Sequence, residues 1–209
     1  MLLRDDDIVL FQGDSITDAG RKRDAPEHLG NGYAMIAAGR CQVLHPRLQL
    51  RFLNRGISGN RAKDLRARWQ ADCLELRPTV VSILIGINDT WRRYDRNDPT
   101  AVEVFTADLR DILEDCAEAG MRIVIGEPFV LPVPEDRRKW REDLDPRIQA
   151  LRDLAAEYAA AYVPYDGLFA AAAVASGSAA HWAADGVHPS PAGHALMADA
   201  WLRAVGAIG

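Results

Sequence analysis

Five short apolar runs, each followed by a longer stretch of helical character, constrain this chain more than any other feature. Ile8-Val9-Leu10-Phe11, Leu48 to Leu53, Val80 to Ile85, Met121 to Ile125 and Tyr162-Val163-Pro164-Tyr165 read as strands. The third is apolar almost throughout, as expected of a central strand covered on both faces. The fifth contains a proline and reads as an edge. Helical patterns span Gly32 to Leu44, Arg61 to Leu76, Ala101 to Ala119 and Pro146 to Ala160. Asp166 is placed to cap an Ala-rich helix, and Ser190-Pro191 reads as the N-cap and first residue of a last helix ending near Val205. This alternation implies an α/β protein with a parallel sheet and helices on both sides. With 209 residues and no repeat or linker, residues 1–209 are expected to form a single domain.

In open parallel sheets, ligands bind beyond the carboxyl ends of the strands. Polar blocks fall there: Gly13-Asp14-Ser15, Gly56 to Asn60 and Gly86 to Asp89 follow the first three strands. A fourth block, Asp185-Gly186-Val187-His188, precedes the last helix. Each alone is an ordinary turn; together they carry the groups needed for serine ester hydrolysis. A serine hydroxyl is a weak nucleophile without an adjacent base. Ser15 is the candidate nucleophile and His188 the candidate base. Asp185, three residues earlier, can accept from the imidazole Nδ1–H within one tight turn and fix the tautomer. The Ser15 and Gly59 backbone N–H groups and the Asn88 side-chain amide are the candidate oxyanion donors.

Among the other acids, Asp14 and Asp89 read as loop-bracing residues. His28, His45, His181 and His194 offer no better base, and no spacing suggests a metal site. The glycine-rich fingerprints of nucleotide sites are missing too.

A net charge of -5 argues against a nucleic-acid partner. The arginine-rich stretches Arg61 to Arg68 and Arg137 to Arg141 are interrupted by acids or read as solvated helix faces. Three cysteines without paired spacing suggest buried thiols rather than disulfides, hence a reducing compartment. Neither a membrane span nor a secretion signal is legible, so a cytoplasmic location and no membrane partner are expected.

The blocks Gly13-Asp14-Ser15-Ile16-Thr17, Gly59, Gly86-Ile87-Asn88-Asp89 and Asp185-Gly186-Val187-His188-Pro189 resemble those of the SGNH (GDSL) hydrolases. The resemblance runs from Phe11 to the last helix. It implies a three-layer α/β/α sandwich around a flavodoxin-like parallel sheet of about five strands, and no cofactor. Asn54 to Trp69, Ser82 to Asp95 and Val187 to His194 are most similar to the intracellular, acetylxylan-esterase-like branch. That likeness implies removal of short acyl groups, acetyl above all, from carbohydrates such as xylo-oligosaccharides, and it allows a homo-oligomer. Two positions depart from the branch: Ala184 stands before Asp185 in place of tryptophan, and Glu127 replaces a small polar residue.

Trp91, Tyr94, Trp140 and Trp182 are the candidate aromatics of a pocket rim, with Asp14 a further candidate for substrate contact. Two rivals remain: a lysophospholipase or thioesterase using the same machinery, and a non-catalytic carbohydrate-binding protein.

Overall fold

The computed structural model describes residues 1–209. Strands β1 (Ile8–Gly13), β2 (Arg51–Asn54), β3 (Val80–Leu84), β4 (Arg122–Gly126) and β5 (Ala161–Val163) form one sheet in the order β2-β1-β3-β4-β5. Every neighbouring pair is parallel. The chain moves outward one way from β1 to β2 and the other way from β3 on, so the switch point lies between β1 and β3. In a doubly wound sheet that is where a crevice opens.

Side chains alternate between the two faces. Val9, Phe11, Val80, Leu84 and Val124 pack on one side with α2 (Tyr33–Leu44), α8 (Tyr165–Ser176) and α10 (Pro191–Ala204). Leu10, Val81, Ile83, Ile123 and Ile125 pack on the other with α3 (Ala62–Ala67), α6 (Val102–Glu118) and α7 (Arg141–Glu157). The result is a three-layer α/β/α sandwich. Phe11 meets Tyr33 edge-on at 5.6 Å and Trp201 at 5.2 Å. Truncating such a fully buried ring to alanine costs about 3–5 kcal/mol. Ser82, polar in the middle of β3, is satisfied by the Trp201 indole N–H at 3.0 Å.

Several elements differ from the sequence expectation. The stretch expected to be one helix from Arg61 to Leu76 is broken into α3, α4 (Trp69–Asp72) and a 3-10 turn at Leu74–Leu76. The break falls at Arg68, with φ -107° and ψ 7°, because its guanidinium turns inward to the strand ends. Residues expected only as a polar turn continue as helix α5 (Ile87–Arg96). Helix α7 begins before Pro146 rather than at it, and carries that proline inside.

Asp166 is not a cap: α8 starts at Tyr165 after Pro164. The Asp166 carboxylate instead accepts both Nη atoms of Arg141, at 2.6 and 2.9 Å. A short helix, α9 (Ala179–Trp182), precedes α10. Ser190 does cap α10, its Oγ accepting from Gly193 N at 3.2 Å. All three cysteines are free and buried, and no helix is long and apolar enough to cross a membrane.

Candidate active site

The end of β1 turns directly into α1 (Ser15–Asp18). This tight turn requires Gly13, because a Cβ there would lie 2.3 Å from the Leu84 carbonyl oxygen. Asp14 caps α1, its Oδ1 accepting the Ile16 N–H at 3.0 Å. Ser15 is thereby held as the first helical residue, half-buried at the switch point. Its backbone N–H finds no acceptor in the chain, as expected for the first turn of a helix.

His188 and Asp185 come from the loop before α10. Ser15 Oγ lies 2.9 Å from His188 Nε2. His188 Nδ1 lies 2.6 Å from Asp185 Oδ2. Asp185 Oδ1 accepts the backbone N–H groups of Val187 and His188 at 3.0 and 2.8 Å, which closes the turn. The loop is anchored from below: Leu131 N donates to Gly186 O at 2.8 Å. Gly186 has φ +82°, and a Cβ there would meet Val133 O at 2.2 Å.

These contacts set the charges. The hydrogen bond to Asp185 raises the His188 pKa above its ordinary value, more than burial lowers it. Burial works against the Asp185 anion, but the bonds from His188 and from two backbone N–H groups carry its carboxyl well below the usual range. The pair therefore favours imidazolium beside carboxylate, the state that exists after a proton leaves the serine.

Gly59 is exposed with φ +85°, and its N–H has no partner within the chain. Asn88 is the second residue of α5 and is 3% exposed. Its Nδ2 donates to Asn60 O at 3.1 Å, and its Oδ1 accepts from Arg92 at 3.3 Å. Both contacts require the same orientation of the amide, which leaves its second N–H free. The Ser15 and Gly59 N–H groups and one Asn88 amide N–H are thus unspent within the chain.

Behind them, Arg68 joins the strand ends. It donates to Gly13 O, Arg55 O and Asn60 Oδ1 at 3.3, 2.8 and 2.7 Å. The Gly56 to Asn60 turn is also held by Asp18, which accepts from Ser58 N at 3.1 Å. Asp89, fully buried, accepts the Ala62 N–H at 3.2 Å and so ties α5 to α3.

The candidate substrate residues divide. Trp91 stands beside His188, its ring 5.9 Å from the imidazole. Trp140 is 1% exposed and belongs to the core, not to a rim. Tyr94 stacks on it at 5.5 Å, with its hydroxyl donating to Lys139 O and Glu142. Trp182 spends its indole N–H on Ser176 at the end of α8. Asp14 is 1% exposed and occupied as a cap, so its carboxylate does not face a substrate.

Glu127, also buried, accepts from Arg152, Tyr162 and Asp166 N and braces the sheet edge. Ala184 is exposed and leaves no aromatic wall ahead of Asp185. Sequence reading missed Arg137. Its guanidinium lies 4.0 Å over Trp140 and 5.2 Å over Trp91, and its Nε donates to Asp185 O at 3.4 Å. An arginine in a mixed-charge stretch gives no hint of such a position.

A parallel α/β/α sandwich with Ser15, His188 and Asp185 linked across its switch point defines the class. The profile of the GDSL-like lipase/acylhydrolase family matches residues 11–196. The chain belongs to that family and is a carboxylic ester hydrolase. It is 36% identical over 206 residues to an acetylxylan esterase of Geobacillus stearothermophilus, covering 95% of this chain and 93% of that one.

Among solved structures it resembles a protein of Parabacteroides merdae described as a GDSL-like lipase, with a TM-score of 0.93 at 39% identity. That match covers 99% of this chain and 98% of the other. It also resembles Axe2, an acetylxylan esterase of G. stearothermophilus, with a TM-score of 0.91, 34% identity and coverage of 99% and 97%. Variants of Axe2 with alanine in place of a serine, a histidine and an aspartate are described as catalytic mutants.

Proposed function

We propose that this chain is a serine esterase that removes short acyl groups, acetyl in particular, from carbohydrates such as xylo-oligosaccharides. The observation that carries this reading is the linked set Ser15 Oγ, His188 Nε2 and Asp185, at 2.9 and 2.6 Å, beside the unspent donors of Gly59 and Asn88. Ser15 Oγ attacks the acyl carbonyl as His188 Nε2 takes its proton. The oxyanion is received by Ser15 N–H, Gly59 N–H and the Asn88 amide. The alcohol leaves with the proton from His188, giving an acyl-enzyme. Water, deprotonated by the same imidazole, then releases the acid.

A carbohydrate substrate is supported by the acetylxylan esterase relatives and by Trp91 beside His188. The surface next to Gly59 has no apolar side chain on its walls, which suits hydroxylated groups better than the long acyl chain of a lysophospholipase. In this reading residues 1–209 work as one domain, and three buried thiols suit the reducing cytoplasm.

The test is Ser15→Ala. It should abolish acetate release from acetylated xylo-oligosaccharides and from p-nitrophenyl acetate, with an unchanged circular dichroism spectrum. Wild-type turnover in that variant would refute the nucleophile. Faster turnover of long-chain than of acetyl esters would favour the lipolytic rival.

A further inference from the structure

Beside the oxyanion donors the surface opens into a groove of about 450 Å³ with no apolar lining. It starts at Gly59 and Asn60 and runs between α3 and α5, past Arg61, Lys63, Arg92 and Arg96. Small-molecule sites of this volume are ordinarily lined by apolar and aromatic groups. This one gathers four cations on a chain whose net charge is -5.

Two of the cations are already paired. Arg61 binds Asp98, and Arg92 Nη1 meets Asp95 at 2.5 Å. Their side chains are only 7% and 14% exposed, so they form a fixed inner wall. The one carboxylate among the lining residues, Asp64, accepts the Arg61 backbone N–H at 2.9 Å. The other two cations are held less closely. Lys63 makes no ion pair, and Arg96 is 68% exposed and reaches Asp95 only at 4.0 Å. The groove reaches the candidate oxyanion donors through Gly59, and its wall residue Arg92 donates from Nη2 to Asn88 Oδ1 at 3.3 Å.

We propose that this groove is a subsite for an anionic group on the substrate, a carboxylate or phosphate carried by the acetylated sugar. The proposal rests on the esterase reading and narrows its substrate class to acidic saccharides. Asp64, Asp95 and Asp98 offset three of the four cations, so a neutral sugar would satisfy the polar walls but leave one positive charge in excess. A planar carboxylate or a phosphate can take the guanidinium fork and the ammonium together.

Binding tests this without turnover. Glucuronate, glucose 6-phosphate and glucose are titrated into the Ser15→Ala protein by calorimetry. At least one anion should bind at least about tenfold more tightly than glucose, and that preference should shrink between about 0.05 M and about 0.5 M salt. Glucuronate alone would identify a uronic acid, and glucose 6-phosphate alone a sugar phosphate.

Lys63→Glu with Arg96→Glu should remove the anion preference. The same pair of changes in the Ser15 enzyme should leave p-nitrophenyl acetate turnover unchanged. Equal affinity for glucose and both anions, or an anion preference that survives the double reversal, overturns the subsite. Failure of the esterase reading shows separately, as acetyl ester turnover that does not depend on Ser15.

Discussion

Asp14 stands next to Ser15, the proposed nucleophile, 1% exposed, with one oxygen capping α1 and the other without a partner. Burial pushes its carboxyl up to about 7. An acid whose pKa is higher in the folded chain than in the unfolded one binds its proton more tightly when folded. Its favourable effect on stability is therefore fully present below the unfolded value and is lost as pH rises through the folded value. A rise from 3.8 to about 7, at 1.36 kcal/mol per pH unit, is about 4 kcal/mol.

Asp14→Asn removes the charge and keeps the acceptor, since asparagine caps helices as well as aspartate does. The variant should be more stable than wild type, and the gap should widen by about 2–3 kcal/mol between about pH 5 and about pH 8. Urea unfolding at a series of pH values reads this as a midpoint difference growing by about 1 M or more at constant slope. Asp89, which burial also pushes to about 7 with the Asp14 charge adding to the rise, is retained in both proteins, so the difference reads Asp14 together with its coupling to Asp89. A gap that stays constant over that range would refute the buried charge as its cause. Asp14 also helps to hold the His188 proton. The acid limb of kcat/KM should therefore move to lower pH in the variant.

Asn88→Ala should lower kcat by about 10²- to 10³-fold, the size expected for one oxyanion donor, with KM for p-nitrophenyl acetate little changed. Asp185→Asn should lower kcat by about 10⁴-fold. Because Asp185 is the main cause of the raised His188 pKa, residual activity in that variant should persist to lower pH than in wild type. Gly186→Ala forces a Cβ to within 2.2 Å of Val133 O at φ +82°. Thermal unfolding should show a loss of at least about 1–3 kcal/mol, and activity should fall with it as the Asp185–His188 loop shifts.

The sheet was legible because its strands are apolar on both faces, as Val80 to Leu84 shows, all five residues being buried. The polar blocks were legible because each interrupts such a run at its carboxyl end. Helix α5 was not, since Asn88, Asp89, Thr90 and four further charged residues mask an apolar stripe of Ile87, Trp91 and Tyr94. The break at Arg68 was hidden because its cause lies in carbonyls of β1 and of the turn after β2, far away in sequence. Pro146 misled as a helix start because a proline is favoured in a first turn and α7 tolerates one inside.

The same distinction separates the site residues. Gly59, Asp185 and His188 sit in turns, and Ser15 and Asn88 at helix starts, within polar blocks whose local composition announces them. Arg137 and the groove cations take their places from tertiary packing alone. Trp140 and Trp182 share residue type with Trp91, and only the folded chain separates the ring beside His188 from the two that brace helices.

His188 lies 173 residues after Ser15, and only the docked loop before α10 brings the two together. If His188 is the base for Ser15, as proposed, the hydroxyl leaves the ribosome during synthesis long before that base can reach it, and a nascent chain carries an inert serine. Fraying at the α10 end would likewise silence chemistry while the sheet still gave a native spectrum. Catalysis would then report on the seating of that terminal segment before optical probes registered a change.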